Sequence, residues 1–252
     1  MFLSDKLRFP DIEIKKQKLD EVRSILPAVS VESYEQAFLV DYTHNSTAIE
    51  GNTLSLIETK VLLEDKISIG GKSLREIYEI TNHADAYKYA LRCIAENKIL
   101  TEHIVKDMHQ ILMRNIIDGG IYRNVEVRIS GAGHAPPAPV DMFYQVKDFF
   151  HDLVEYGKTL DPIVFASWTH AEFVKIHPFV DGNGRVSRMM MNYQLLASGL
   201  LPVSIPKTKR FEYYDALESY ALNGDIEIFA RMIAELEEAR LDDYLNLVDK
   251  GE

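Results

Sequence analysis

The sequence predicts an all-α protein, a compact helical bundle carrying one small β-hairpin flap. Helix-start signals recur along most of the chain, strand-like alternation is confined to one short segment, and 46% hydrophobic with 10% aromatic residues over 252 positions is ample for a packed core. After an N-terminal extension at 1–30, the first expected helix runs from about Val31 to Ile49. Ser55 with Glu58 and Ser73 with Glu76 form two capping boxes, and the second opens a helical spacing of Leu74, Ile77, Ala84, Tyr87, Leu91 and Ile94. Further helices are expected at about Thr101 to Arg114 and Asp141 to Tyr156. Asp161 before Pro162 is an N-cap with proline at the first helical position, and it opens a run to Ile176 that Pro178 ends. Helices at about Gly184 to Ser198 and Arg210 to Asn223 complete a domain spanning 31–225. A C-terminal helix, about Ile226 to Asp249 within 226–252, is expected to pack on the same domain. The flap is predicted where Val125, Val127 and Ile129 alternate with Glu126, Arg128 and Ser130. Gly131 and Gly133 turn it, and Pro136, Pro137 and Pro139 stop a second strand from joining a larger sheet. Its open edge suits an extended peptide; a plain connector is the competing reading.

Charge and cysteine usage narrow the function classes. Lys and Arg number 28 against 39 Asp and Glu, a formal charge of −11, so neither DNA nor an anionic membrane is an expected partner. Cys93 is the only cysteine, which excludes an internal disulfide and a cysteine-rich metal cluster. Asp5, Lys6 and Arg8 interrupt any apolar leader, and no stretch approaches the ~18 apolar residues of a membrane span. A cytoplasmic address is the resulting expectation.

The chemistry concentrates in His177 to Arg188, HPFVDGNGRVSR. The turn lies between two expected helices, so its backbone N–H groups can converge on an anion where the second helix begins. Arg185 and Arg188 in that first turn oppose the helix dipole by roughly 0.3 to 1 kcal/mol each, which points to an anion between them. A lone histidine at a helix end more commonly caps the last carbonyls, yet a neutral His177 beside a phosphate chain can take the proton of an attacking hydroxyl. Asp181 is either an Asx-turn residue or a hard oxygen ligand for Mg²⁺ held against phosphates. Gly182 and Gly184 permit close approach of a ligand, and Asn183 tolerates left-handed geometry and offers amide donors. A second conflict lies in Ser46-Thr47-Ala48-Ile49-Glu50-Gly51, where Gly51 reads as a left-handed cap and puts Glu50 at the negative end of a helix. An exposed Glu50 tolerates that for a few tenths of a kcal/mol; pairing it with a stranded arginine would resolve both conflicts.

HPFVDGNGRVSR resembles the full Fic (Fido) motif, HxFx(D/E)GNGRxxR, at every specified position. The resemblance extends from about Ser46 through Gly224, taking in STAIEGNTLSL and GKSLREIYEI, and is to Fic proteins whose inhibitory helix precedes the catalytic core. It implies transfer of AMP from ATP to a Ser, Thr or Tyr hydroxyl of a target protein, with Mg²⁺, or Mn²⁺ in its place, as cofactor. His177 would be the base, Asp181 the metal ligand, Gly182, Asn183 and Gly184 the phosphate cradle, and Arg185 and Arg188 the phosphate clamps. Ser46, Glu50 and Gly51 would form the inhibitory motif on a helix at about 31–50, with Glu50 pairing Arg188 and displacing the γ-phosphate. Val127, Ile129, Ser130 and Gly131 would belong to the flap that registers the target, and Tyr213 or Tyr214 would border the adenine. A homodimer is compatible with this kind of protein. Two readings compete with an autoinhibited AMP transferase: removal of AMP by a water that Glu50 orients, and a nucleotide-gated module that binds peptides without modifying them.

Overall fold

The computed structural model describes residues 7–23, 25–129 and 131–249. Ten α-helices follow one another among them: α1 (Pro10–Val22), α2 (Ala28–Ile49), α3 (Leu56–Lys60), α4 (Leu74–Ala95), α5 (Glu102–Leu112), α6 (Pro139–Tyr156), α7 (Pro162–Ile176), α8 (Asn183–Ala197), α9 (Arg210–Asn223) and α10 (Glu227–Asp249). Both capping boxes are formed, Ser55 with Glu58 and Ser73 with Glu76. Asp161 caps α7 through a bond from the Ile163 N–H at 2.9 Å, and Pro162 occupies the first turn as expected. The Ser55 box starts only a short helix, because α3 widens into one π-turn at Val61–Asp65 that Lys66 closes in the left-handed region at φ 60.

Helices α7 and α8 are the centre of the bundle. They pack along each other, while α6, α9 and α10 cover α7, and α4, α5 and α2 cover α8. Both are buried nearly all round, so neither shows a clean polar face. The polar residues that α8 carries inward must therefore find internal partners. Ser187 donates back to the Asn183 carbonyl at 2.7 Å, and Asn192 exchanges bonds of 2.9 and 2.8 Å with Val203, fixing the segment before α9. Helix α2 is buried mainly from Phe38 onward, so its C-terminal half enters the core and delivers Ser46 and Glu50 to the start of α8.

The expected hairpin flap is not formed. Among the described residues there is no strand, and 121–138 is an irregular loop; Ser130 lies outside the described residues. The reason is an arginine. Arg123 is 2% exposed, and its guanidinium donates to Val125 O at 2.9 Å, Pro137 O at 2.6 Å and His177 O at 2.8 Å. One side chain thus ties the two arms of the loop together where a ladder would have used backbone donors that Pro136 and Pro137 lack. A two-stranded ribbon without a third strand is marginal, and this side-chain clamp replaces it. Helix α1 is the other departure, since the sequence predicts an extension, not a helix, at 1–30. It packs on α10 through Ile12 and Leu19, with Lys15 reaching Glu238 at 2.8 Å and Asp242 at 2.7 Å.

Glu237 on α10 is fully buried, accepts the Leu201 N–H at 2.8 Å and leaves its second oxygen without a partner. Burial pushes its carboxyl up to about 8. The folded state therefore holds this proton more tightly than the unfolded chain, and stability should fall as pH climbs from about 4.5 through about 8. Glu237→Gln keeps the acceptor for Leu201 and cannot ionise, so thermal denaturation across that window should show a flatter pH dependence than wild type.

Candidate active site

The site is built on the α7–α8 connection. His177 caps α7 in the left-handed conformation at φ 53, and Pro178 follows, so the chain leaves the helix axis at this residue. The imidazole Nδ1 lies 3.1 Å from Val174 O and donates to it, which fixes the neutral tautomer and leaves Nε2 as the acceptor. Burial lowers the His177 pKa from its ordinary 6.5; the Val174 carbonyl opposes the fall and the Arg123 charge adds to it. The turn is pinned by Asn183, whose amide oxygen accepts from Phe179 N at 2.9 Å and whose amide nitrogen donates to Phe179 O at 2.8 Å. His109, stacked on Phe179 at 3.6 Å, bonds Asp181 O at 3.0 Å from behind. Gly182 has φ 81, a backbone conformation that favours glycine, and a Cβ there would also press on Met113 Cε at 2.5 Å.

Asp181 is surrounded by donors. Its Oδ1 accepts from Gly182 N at 2.6 Å and Arg185 Nη2 at 3.0 Å, and its Oδ2 from Arg75 Nη2 at 2.5 Å. Burial alone would raise this carboxyl, but Arg185, the Gly182 N–H and Arg75 outweigh it and hold the pKa below the ordinary value. Arg185 is 2% exposed and also faces Glu79 at 3.7 Å, while Glu79 accepts from Arg75 Nε at 3.1 Å.

Arg188 lies one turn deeper at 1% exposure, and every contact around it answers its charge. Nε donates to Ser46 Oγ at 3.0 Å, Nη2 to Ser46 O at 2.8 Å and Glu50 Oε1 at 2.7 Å, and Nη1 to Tyr213 OH at 3.0 Å. Tyr213 in turn lies 2.9 Å from His170 Nε2; burial depresses that imidazole, so it stays neutral and accepts the phenol proton. Burial also opposes the arginine charge, yet Tyr213 and Glu50 more than restore it, and the Arg188 pKa is raised. Glu50 reaches this position because α2 ends in a Schellman arrangement: Gly51, at φ 104, bonds Ala48 O at 3.1 Å, and Asn52 bonds Thr47 O at 3.1 Å. Its carboxylate passes over Gly184, where a Cβ would collide with Glu50 Oε1 and sit 3.2 Å from Arg188 Nη1.

The structure thus brings His177, Asp181, Gly182, Asn183, Gly184, Arg185 and Arg188 near Ser46, Glu50 and Gly51; Glu50 pairs with Arg188, whereas Arg185 pairs with Asp181. Asn183 spends its amide on the turn itself, and Tyr213 faces inward on Arg188; Tyr214 is 38% exposed with its hydroxyl 3.3 Å from Ile49 O. Val127 and Ile129 are half-buried in the loop, beside Gly131 at φ 85. Arg75, Glu79, His109 and Arg123 escaped the sequence reading. Of these only the Arg75 to Glu79 spacing, one helical turn, was a visible signal.

Residues 99–195 match the Fic/DOC family. The fold and site define a Fic domain, and the chain belongs to that family. A protein adenylyltransferase Fic from Drosophila mojavensis is 36% identical over 249 residues, covering 96% of this chain and 48% of the relative. The chain spans about half the length of such curated relatives. The structure of Fic-1 from C. elegans is similar with a TM-score of 0.81 at 30% identity, covering 94% of this chain and 70% of that one. A Fic domain containing signaling protein from Bacteroides thetaiotaomicron shares the fold, with a TM-score of 0.84 at 21% identity over 96% of this chain and 98% of that one.

Arg123→Met should loosen the loop and the backbone of His177 together, because three carbonyls lose their charged donor. Each such bond is worth roughly 1.5–3 kcal/mol. Hydrogen exchange should show faster opening of 121–138, and the variant should melt at a lower temperature.

Proposed function

We propose that this chain is a protein adenylyltransferase restrained by its own Glu50, moving AMP from ATP to a Ser, Thr or Tyr hydroxyl of a target protein. The observation that carries the reading is the saturated, buried Arg188, whose Glu50 contact at 2.7 Å lies directly over Gly184 in the turn that opens α8. A helix start with free N–H groups and two arginines is built for a phosphate chain, and Glu50 supplies the negative charge in its place. The naming of the Drosophila relatives supports the same chemistry.

In the forward reaction, His177 Nε2 takes the proton of the target hydroxyl as its oxygen attacks the α-phosphorus. The bond from that phosphorus to the bridging oxygen breaks and pyrophosphate leaves, with Arg185 and Arg188 placed to hold its charge. No group of three or more His, Cys, Asp or Glu stands ready for a metal among the described residues. The donor set fits a cation carried mainly by phosphate oxygens, with Asp181 as the protein ligand. Mg²⁺, or Mn²⁺, held there by Asp181 would neutralise phosphate charge and act as a Lewis acid. The target would dock along the loop containing Val127, Ile129 and Gly131. A second reading rests on Glu50 itself: its side chain is 35% exposed and only Oε1 is committed to Arg188, so the other oxygen can orient a water that removes AMP from a modified protein.

Glu50→Gly should raise transfer of the α-phosphate label of ATP to target or self by at least an order of magnitude, while γ-labelled ATP leaves no label. The free variant should also lose on the order of 1–3 kcal/mol, less than a fully buried pair because Glu50 is partly exposed. Equal α-labelling by wild type and variant would remove autoinhibition from the account, and γ-labelling would replace AMP transfer with a kinase. If the water-orienting reading holds, the same variant loses AMP removal.

His177→Ala in the Glu50→Gly background should lower transfer about 10²-fold to 10⁴-fold with nucleotide affinity retained. Because the His177 pKa is lowered, the acidic limb of the pH profile should fall below pH 6.5. Calorimetry with ATP and a rate profile across pH check the two expectations.

A further inference from the structure

Arg75 is a cation in the first turn of α4, two residues after its Ser73 cap, where the helix dipole disfavours it. It stays there by reaching two carboxylates, Glu79 at 3.1 Å and, 106 residues away, Asp181 at 2.5 Å. The second contact matters for chemistry. Asp181 Oδ1 is already engaged by Gly182 N–H and Arg185, so Arg75 on Oδ2 leaves the carboxylate with no oxygen free of a donor. The two arginines differ sharply in freedom: the Arg185 side chain is 2% exposed and wedged against Glu79, whereas that of Arg75 is 56% exposed. Only Arg75 can leave without opening the core.

We propose that Arg75 is a second latch on this site, a positioning residue that occupies the metal-ligating oxygen of Asp181 until a cation held by nucleotide phosphates displaces it. The inference rests on the reading of Asp181 as the metal ligand. Displacement is local. Arg75 swings outward on its exposed stem while Nε keeps Glu79, and Oδ2 becomes available to a hard cation without movement of α8. Glu50 and Arg75 thereby guard different parts of the site, one the arginine at its base and the other the carboxylate at its rim. The two latches hold different residues of the α7–α8 connection, Glu50 from the end of α2 and Arg75 from α4, and the two helix ends are joined by Asn52, whose amide donates to Glu79 at 3.0 Å.

The test is calorimetry of ADP binding to the full chain, in EDTA and in saturating Mn²⁺, for wild type, Arg75→Ala and Arg75→Gln. ADP has no γ-phosphate, so the Glu50 contact does not dominate the measurement. A latch predicts unchanged affinity in EDTA and a gain from Mn²⁺ about two- to fivefold larger in both variants than in wild type, the scale of an exposed ion pair. Arg75→Lys, which keeps charge without the guanidinium fork, should fall between. Arg231→Ala, which removes an exposed cation paired to Glu227 on α10, should match wild type and so control for net charge. An unchanged Mn²⁺ gain in the Arg75 variants would overturn the latch, and weaker ADP binding in both buffers would overturn it in favour of a direct phosphate contact. No Mn²⁺ gain in any protein would overturn it together with the metal role of Asp181. Transfer of AMP is read separately, by the α-label assay on Glu50→Gly, so the two ideas can fail independently.

Discussion

A guanidinium held at 1% exposure in the middle of a helical bundle sets the terms for everything near it. An unpaired charge at that depth would cost several kcal/mol, so the fold must bring partners to Arg188 from elsewhere in the chain. It brings three: the last turn of α2 through Ser46 and Glu50, α9 through Tyr213, and behind Tyr213 the neutral His170 of α7. Four helices are thereby locked around one side chain. The same lock explains why Gly51 must be left-handed and Gly184 must lack a side chain, since otherwise Glu50 could not arrive.

Around this centre the site divides into parts that are fixed and parts that are free. The turn is rigid before anything binds: Asn183 bridges it to Phe179, His109 supports Asp181 from behind, and His177 is held in one tautomer by Val174. At its rim the side chains of Arg75, Glu50 and Asp181 keep 56%, 35% and 34% exposure, while Arg185 and Arg188 stay buried. Such a division suits a site in which charge must be exchanged without rebuilding the backbone.

Much of this was legible in the sequence because opposed dipoles are local signals. Arg185 near the start of α8 and Glu50 at the end of α2 each sit against a helix dipole, and of the two outcomes open for Glu50, exposure or pairing, the structure shows pairing with Arg188 across 138 residues. The caps at Ser55, Ser73 and Asp161 were legible for a similar reason, since each rests on spacings of a few residues. What stayed hidden depends on contacts with no periodic trace. Arg123 replaces a strand ladder through its side chain, and nothing in the alternation of Val125, Val127 and Ile129 announces that. Helix α1 buries little besides Ile12 and Leu19 on α10, too sparse a stripe to read as amphipathic. The contact of Tyr213 with Arg188 is equally unmarked, because an aromatic residue carries no sign in the sequence of which way it faces.

The placement of Glu50 on the same polypeptide as Arg188 has a kinetic consequence. In the proposed transferase a tethered carboxylate would compete with a nucleotide at an effective concentration set by the geometry of α2, on the order of millimolar or above, whatever the concentration of protein. Dilution would not release it, and excess nucleotide would have to work against a competitor that never diffuses away. In the proposed transferase, relief therefore has to come through movement of the C-terminal turn of α2, and the part of α2 most open to an outside influence is its exposed N-terminal half, several helical turns from the charge it controls.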